Sequence, residues 1–470
     1  MREIAPLETP SWGKEIRATL LLASPLAAAN ILQMLTYAID VIFIARLGEA
    51  ELAASSLIMA VFGLIVWALN SLTAAVAPII AAELGGNPRA VRPIRRAMRM
   101  AMWMAVMTGA GGMALSMLTI PLMYATGQPA EVIEVAIPYQ IAIVWSLIPM
   151  VVANVLRTYV STLGRPIFAT VITALGIGVN ALGNYALIFG NLGMPRLELI
   201  GAGIATIITT TTIMLIYVAV IRWDAALHRY RIFGHWWRSD WQKFFEILRI
   251  GTPISLTVIA EAGIFGAAAF LMGRFGASEL AGHTVALNIA ALAFQVPFGV
   301  GQAVTIRVGY FYGARDPIGI KRAGWVAIAI GAGFMSLTAL AMVFAPLTLL
   351  SIYVDVDAAR NAALVGFALQ YLLLAAAFQL VDGVQAVAAG ALRGLQDTRV
   401  PMWIAIFSYW VPGIGLAIGL GFFTSLEGTG VWIGLATGLA FAAVLLTWRW
   451  MLRERLGLTT RPGPGPKFSS

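Results

Sequence analysis

The sequence predicts an all-α integral membrane protein, with twelve transmembrane helices arranged as two pseudo-two-fold-related six-helix bundles. Three observations point there. Of 470 residues, 60% are hydrophobic and 11% charged, whereas a soluble protein carries about a quarter charged residues. The mean hydropathy is +0.85, and apolar runs of about 20 residues or more, enough to cross a bilayer, recur from end to end. The second half of the chain also repeats features of the first.

Charge clusters and Gly, Pro and Asn turn signals divide the chain into spans at 16–45, 52–83, 95–122, 133–160, 166–190, 198–221, 245–273, 280–312, 321–352, 361–393, 400–423 and 428–452. The first stretch is too long for a signal-peptide core and lacks a clear cleavage site, so it is expected to be a retained helix. Several spans exceed the ~20 residues needed to cross, which predicts tilt or helix extending past the hydrocarbon. Cysteine is absent, which excludes disulfides, thiolate metal sites and thiol nucleophiles. The Pro/Gly-rich tail from Arg461 to Ser470 is expected to be disordered.

Orientation follows from the positive charges. With loops assigned alternately to the two sides, one side, which includes both termini, holds 27 of the 31 Lys and Arg residues. The other holds Arg46, Arg196, Arg274 and Arg360. The positive-inside rule predicts that both termini and the central loop of this multi-pass chain are cytoplasmic; the membrane expected, with the reading reached below, is the inner (cytoplasmic) one. The formal net charge of +9 is thereby an orientation signal, and no nucleic-acid partner is expected.

The expected organisation is a cytoplasmic tail over 1–15, an N-lobe over 16–221, an interlobe loop over 222–244, a C-lobe over 245–452 and a second tail over 453–470. The loop mixes Arg229, Arg231, Arg238 and Lys243 with His235, Trp236, Trp237, Trp241 and Phe244. Such a mixture suits a helix lying in the headgroup layer. A shift of 228 residues aligns Pro25 with Pro253, Ile31 with Ile259, Arg46 with Arg274, Gly48 with Gly276 and Glu51-Leu52-Ala53 with Glu279-Leu280-Ala281. Leu156-Arg157 matches Leu392-Arg393 at a shift of 236. An even number of spans in each half makes the repeats parallel, related by an axis along the membrane normal.

Of the 22 acidic residues, 19 fall in loops, tails or span ends, and three fall well inside spans: Asp40, Glu261 and Asp382. A carboxylate in the hydrocarbon costs about 2.5–3.5 kcal/mol, so each is a functional candidate. The alternative is an acid satisfied by a buried basic partner or by backbone groups. At ~1.5 Å per residue, Asp40, Asn180, Asn184 and Thr206 lie at similar depths below the outer boundary. Asn180 and Asn184 share one helical face. One carboxylate, two amides and a hydroxyl could form an oxygen site for Na⁺, or a hydrogen-bonded proton site; equally, the Asn and Thr residues could tie helices together. The shift of 228 pairs Glu261 with Gln33, so the halves hold their acids at different depths. Gln33, Tyr37, Phe378, Gln379 and Gln385 are candidates for a cavity combining negative charge with aromatic faces, which suits organic cations. His283 reads as a satisfied interfacial histidine. No phosphate loop, metal-ligand cluster or nucleophile triad is present, so an enzyme is not expected. Gly201-Ala202-Gly203 reads as close helix packing.

The stretches from Tyr37 to Gly48 around Asp40, from Pro253 to Gly276 around Glu261, from His283 to Asn288, and above all from Phe378 to Pro401 around Asp382 closely resemble the multidrug and toxic compound extrusion (MATE) transporters of the NorM-like branch. The resemblance covers nearly the whole chain. It implies export of cationic or amphipathic drugs in exchange for Na⁺ or H⁺, with no further cofactor and a monomer expected. Asp40, Asn180, Asn184 and Thr206 match the family's amino-terminal cation site, and Glu261 and Asp382 its carboxy-terminal acids. Phe378 stands where Tyr is found in the family, so the ring face is kept without the hydroxyl and the coupling ion is left open. The alternative is a flippase for a lipid-linked oligosaccharide of related architecture. Its phosphates would call for several basic residues inside spans, where this chain offers chiefly Arg157 and Arg393.

Overall fold

Twelve helices long and apolar enough to cross a membrane run through residues 11–460, which the computed structural model describes. They are α1 (Trp12–Ile44), α2 (Glu49–Gly86), α3 (Val91–Ala125), α4 (Ala130–Thr162), α5 (Ile167–Phe189), α6 (Glu198–Trp223), α7 (Trp241–Gly273), α8 (Ala277–Ala314), α9 (Pro317–Phe344), α10 (Ala359–Gly394), α11 (Arg399–Phe423) and α12 (Glu427–Met451). No strand occurs among the described residues. In lipid, a helix satisfies its own backbone groups, which is why apolar length alone located these elements. The tail expected to be disordered from Arg461 lies outside the described residues.

The ninth span was expected to reach residue 352, but α9 stops at Phe344 and a separate turn of helix follows at Pro346–Leu350. Proline disfavours helical backbone in the residue before it, and Ala345 has φ −133° and ψ 46°. Proline also marks α11, where Tyr409–Gly413, containing Pro412, forms a single wide π-turn. A residue without a backbone donor breaks the regular ladder there.

The described chain forms two compact units. One contains the chain up to Ala27, residues 81–89 and the chain from Ile259; the other contains residues 28–80 and 90–258. Because lipid tails are as apolar as leucine, helices associate in a bilayer through close packing and interhelical hydrogen bonds. In the first unit a methyl group on Gly85 would lie 1.8 Å from the Tyr310 carbonyl oxygen, and one on Gly313 would lie 1.9 Å from that of Ala82. These two glycines are equivalent under the 228-residue shift. The start of α1 is fastened to α8 in this unit: Glu15 is fully buried and accepts a hydrogen bond from Arg307 Nε at 2.9 Å. In the second unit a methyl group on Gly251 of α7 would lie 2.2 Å from the Leu72 carbonyl oxygen, and Ser255 Oγ donates to Ala68 O at 2.9 Å. Gly201 of α6 also lies close to the α5 backbone, where a methyl group would meet Leu187 O at 2.5 Å.

The segment between α6 and α7 is not the interfacial helix expected. Only Ala225–His228 is helical, capped by the Asp224 side chain, which accepts from the backbone N–H groups of Ala226 and Leu227 at 2.9 and 3.2 Å. Arg231 and His235 then take left-handed backbone (φ 45° and 56°), which stops a helix from continuing. The segment is held by named contacts instead. Tyr159 Oη donates to Leu227 O at 2.7 Å, Trp103 Nε1 donates to Trp236 O at 3.1 Å, and Arg96 pairs with Asp240.

Candidate cation and substrate sites

Asp40 projects from α1, and Asn180 and Asn184 project from one face of α5. The α5 amides are buried, at 1% and 0% exposure. Both donate to the same oxygen, Asp40 Oδ1, Asn180 at 2.9 Å and Asn184 at 2.6 Å, and Asn184 Nδ2 also reaches Asn180 Oδ1 at 3.3 Å. The i, i+4 spacing read from sequence thus converges on the carboxylate. Among the described residues Thr206 makes no side-chain hydrogen bond to this network. Its hydroxyl donates to Ala202 O on its own helix at 3.0 Å, the back-bond that serine and threonine commonly make inside helices. Tyr37 and Tyr139 lie within electrostatic reach of Asp40. Among the described residues no ion pair includes Asp40, and its side-chain partners are the two amide donors. A small cation arriving there would share one carboxylate with neutral oxygens, since among the described residues no three His, Cys, Asp or Glu side chains gather.

In the other unit Glu261 of α7 and Asp382 of α10 lie within electrostatic reach of each other, as do Glu261 and Arg393 and both acids with Tyr409. Glu261 and Arg393 form no direct ion pair. Asp382 is 5% exposed, and its Oδ1 has no hydrogen-bond partner among the described residues. The π-turn of α11 sets Tyr409 against α10, where Gln385 Nε2 donates to Tyr409 Oη at 2.6 Å.

The five cavity candidates divide between the units. Gln33 and Tyr37 belong with Asp40, while Phe378, Gln379 and Gln385 belong with Asp382. The latter three are buried. Phe378 packs edge-on against Phe265 and Trp432, with ring centroids 6.1 and 5.9 Å away, and Gln379 Oε1 accepts from Thr338 Oγ1 at 2.7 Å. Gln33 Oε1 accepts from Arg157 Nη1 at 3.3 Å. His283 is not the satisfied histidine expected: it is buried beside Trp432, with ring centroids 5.5 Å apart, and among the described residues neither ring nitrogen has a partner.

Sequence reasoning missed Tyr139 and Tyr409, because a buried tyrosine near an acid has no periodicity that separates it from a core tyrosine. The contact of Gln33 with Arg157 was detectable, since the repeat pairs Gln33 with Glu261 and Arg157 with Arg393. The geometry suits reversible cation binding: carboxylates among low-polarity helices, approached by neutral donors, with aromatic rings close by.

The MatE family model matches the chain twice, over residues 25–186 and 253–418, and the two matches begin at Pro25 and Pro253, which the 228-residue shift aligns. The chain is 41% identical over 451 residues to a probable multidrug resistance protein NorM of Mesorhizobium japonicum, covering 95% of each chain. It is 36% identical over 450 residues to the multidrug resistance protein NorM of Burkholderia vietnamiensis, covering 94% of this chain and 95% of that one. The fold is similar to that of the eukaryotic MATE transporter AtDTX14, with a TM-score of 0.84 at 17% identity over 95% of this chain and 98% of that one. It is also similar to that of a MOP superfamily transporter from Pyrococcus furiosus, with a TM-score of 0.83 at 22% identity over 95% and 97%.

Proposed function

Because the chain belongs to the multidrug and toxic compound extrusion (MATE) family, a family of multi-pass membrane transporters and not of enzymes, we propose that it is a secondary antiporter exporting organic cations in exchange for Na⁺ or H⁺. The NorM relatives support efflux of small drugs; they give no support to the alternative of a lipid-linked oligosaccharide flippase. The observation that carries the antiport reading is the setting of Asp40, a carboxylate of α1 held by two amide donors and, among the described residues, by no cation.

Such a group cannot fully serve an organic cation and a coupling cation at once. If the two occupied forms favour different arrangements of the two units, binding of one ligand drives release of the other. Rocking of the units is the motion this reading requires. Asp40, Asn180 and Asn184 take the coupling ion in one unit, with Thr206 available from α6; Glu261 and Asp382 take it in the other. Gln33, Tyr37, Phe378, Gln379 and Gln385 serve the substrate. The ion is the only cofactor in this scheme, and a monomer suffices for it. With both termini in the cytoplasm of a cell bounded by its inner membrane, the membrane potential adds about 2.3 kcal/mol per charge per 100 mV to inward cation movement.

Dye efflux from reconstituted vesicles under separately imposed Na⁺ and pH gradients tests the proposal. Acceleration by one gradient identifies the coupling ion. Indifference to both refutes antiport.

A further inference from the structure

Arg157 lies inside α4, near its end, and its charge is left unmatched. Nη2 donates to Asn30 Oδ1 at 2.6 Å and Nη1 donates to Gln33 Oε1 at 3.3 Å. Both acceptors are neutral amides of α1. Among the described residues no carboxylate pairs with Arg157, and the ionisable group within its electrostatic reach is Tyr217 of α6. Two further donors there lack acceptors. Asn30 is 6% exposed and Tyr217 1% exposed, and among the described residues neither the Asn30 Nδ2 nor the Tyr217 hydroxyl has a partner. A guanidinium, an amide and a phenol therefore come together with too few acceptors, where buried donors are normally satisfied.

The internal repeat shows what is absent. Gln33 is the counterpart of Glu261 and Arg157 that of Arg393, and in the other unit Arg393 lies within electrostatic reach of Glu261. Where one unit sets a carboxylate against its arginine, this unit sets an amide. On α1, Asp40 follows Gln33 by seven residues, two turns along the same face and about 10 Å away at 1.5 Å per residue.

We propose that Arg157, Asn30 and Tyr217 bind an oxyanion, a carboxylate or phosphate carried by an amphipathic molecule. Guanidinium geometry matches two oxygens of either group. The site takes the negative end of a zwitterion whose positive end lies toward Asp40; that second placement rests on the antiport reading, whereas the anion site does not. The oxyanion has two sources, a carboxylate on the transported molecule or the phosphate of a lipid headgroup.

The test is equilibrium binding to the full chain in phosphatidylcholine nanodiscs, using rhodamine B, a zwitterion, and its ethyl ester, a cation lacking the carboxylate. Arg157→Gln should weaken rhodamine B binding about tenfold or more, a loss of 1.4 kcal/mol per factor of ten, and leave the ester unchanged. Arg157→Lys should retain part of the preference for rhodamine B, and Tyr217→Phe should reduce it selectively even if Arg157→Gln does not fold. Adding phosphatidylglycerol separates the sources: displacement of rhodamine B but not of the ester, in wild type and not in the Arg157 variant, assigns a lipid phosphate to the same groups. Equal weakening of both dyes overturns the proposal, as does an unchanged affinity for both together with no Arg157-dependent effect of phosphatidylglycerol. Asp40→Asn provides the separate control: if ester binding survives it, the cation reading of Asp40 fails while the comparison at Arg157 still stands.

Discussion

Asp40 accepts the shorter of its two side-chain hydrogen bonds from Asn184, at 2.6 Å across the α1–α5 contact. A hydrogen bond to a charged group contributes about 1.5–3 kcal/mol. Asp40→Asn keeps the shape and removes the charge, so it should reduce dye efflux from proteoliposomes at least about tenfold, the rate factor for 1.4 kcal/mol. Asn184→Ala should show a smaller loss. Wild-type efflux in Asp40→Asn would remove this carboxylate from the mechanism.

Glu261→Gln and Asp382→Asn act on the other unit. Because the two acids lie within electrostatic reach of each other, the double variant should lose little more efflux than the more severe single variant, as expected for residues that act together. The check is efflux normalised to the amount of protein extracted from the membrane. Simple additivity would show that the acids work independently.

Glu15 is set apart from the transport acids by its guanidinium partner, Arg307, since among the described residues none of those acids forms an ion pair. Glu15 is fully buried and the Arg307 side chain is 14% exposed. Removing one partner of a buried pair destabilises by about 3–5 kcal/mol, so Glu15→Gln should markedly lower the thermal midpoint of the detergent-solubilised protein. Glu198, paired with Arg196 at 3.4 Å with both side chains more than half exposed, should tolerate the same change within about 0–1 kcal/mol.

Acid should loosen the segment between α6 and α7. Partial burial pushes the Asp240 carboxyl upward, but hydrogen bonds from Arg96 and the Lys243 backbone, with the charges of Arg96 and Arg99, outweigh it and hold the group below its ordinary value of 3.8. A depressed folded value means that the stabilisation is fully present above 3.8 and is lost as pH falls through the lower value reached in the folded protein. Tryptophan fluorescence from Trp236, Trp237 and Trp241 should report the change. Asp240→Asn should remove that pH dependence, and a transition unaltered by the substitution would assign it to other groups.

The twelve spans were legible because a bilayer imposes length and hydropathy on every crossing helix. The Asp40 site was legible as far as helical periodicity reaches, which is why Asn180 and Asn184 fell on one face. Thr206 could not be judged, since whether a threonine bonds across to another helix or back to its own carbonyl depends on rotamer and neighbour. The division into units was also hidden. The described residues up to Ala27 belong with the second half of the chain, and those of α7 before Ile259 belong with the first. That division is set by backbone contacts at glycines such as Gly299, where a methyl group would lie 2.7 Å from Ala27 N, and no hydropathy pattern encodes such contacts. The interfacial segment failed as a helix for a local reason, the left-handed backbone at Arg231 and His235.

The most direct test of the central claim is competition at equilibrium: binding of rhodamine B ethyl ester to the nanodisc-reconstituted protein, measured while Na⁺ and H⁺ are raised in turn. Exchange of cations on shared carboxylates predicts that one of these ions weakens dye binding competitively and that Asp40→Asn abolishes the effect. Dye affinity indifferent to both ions, or equally sensitive to them in Asp40→Asn, would contradict it.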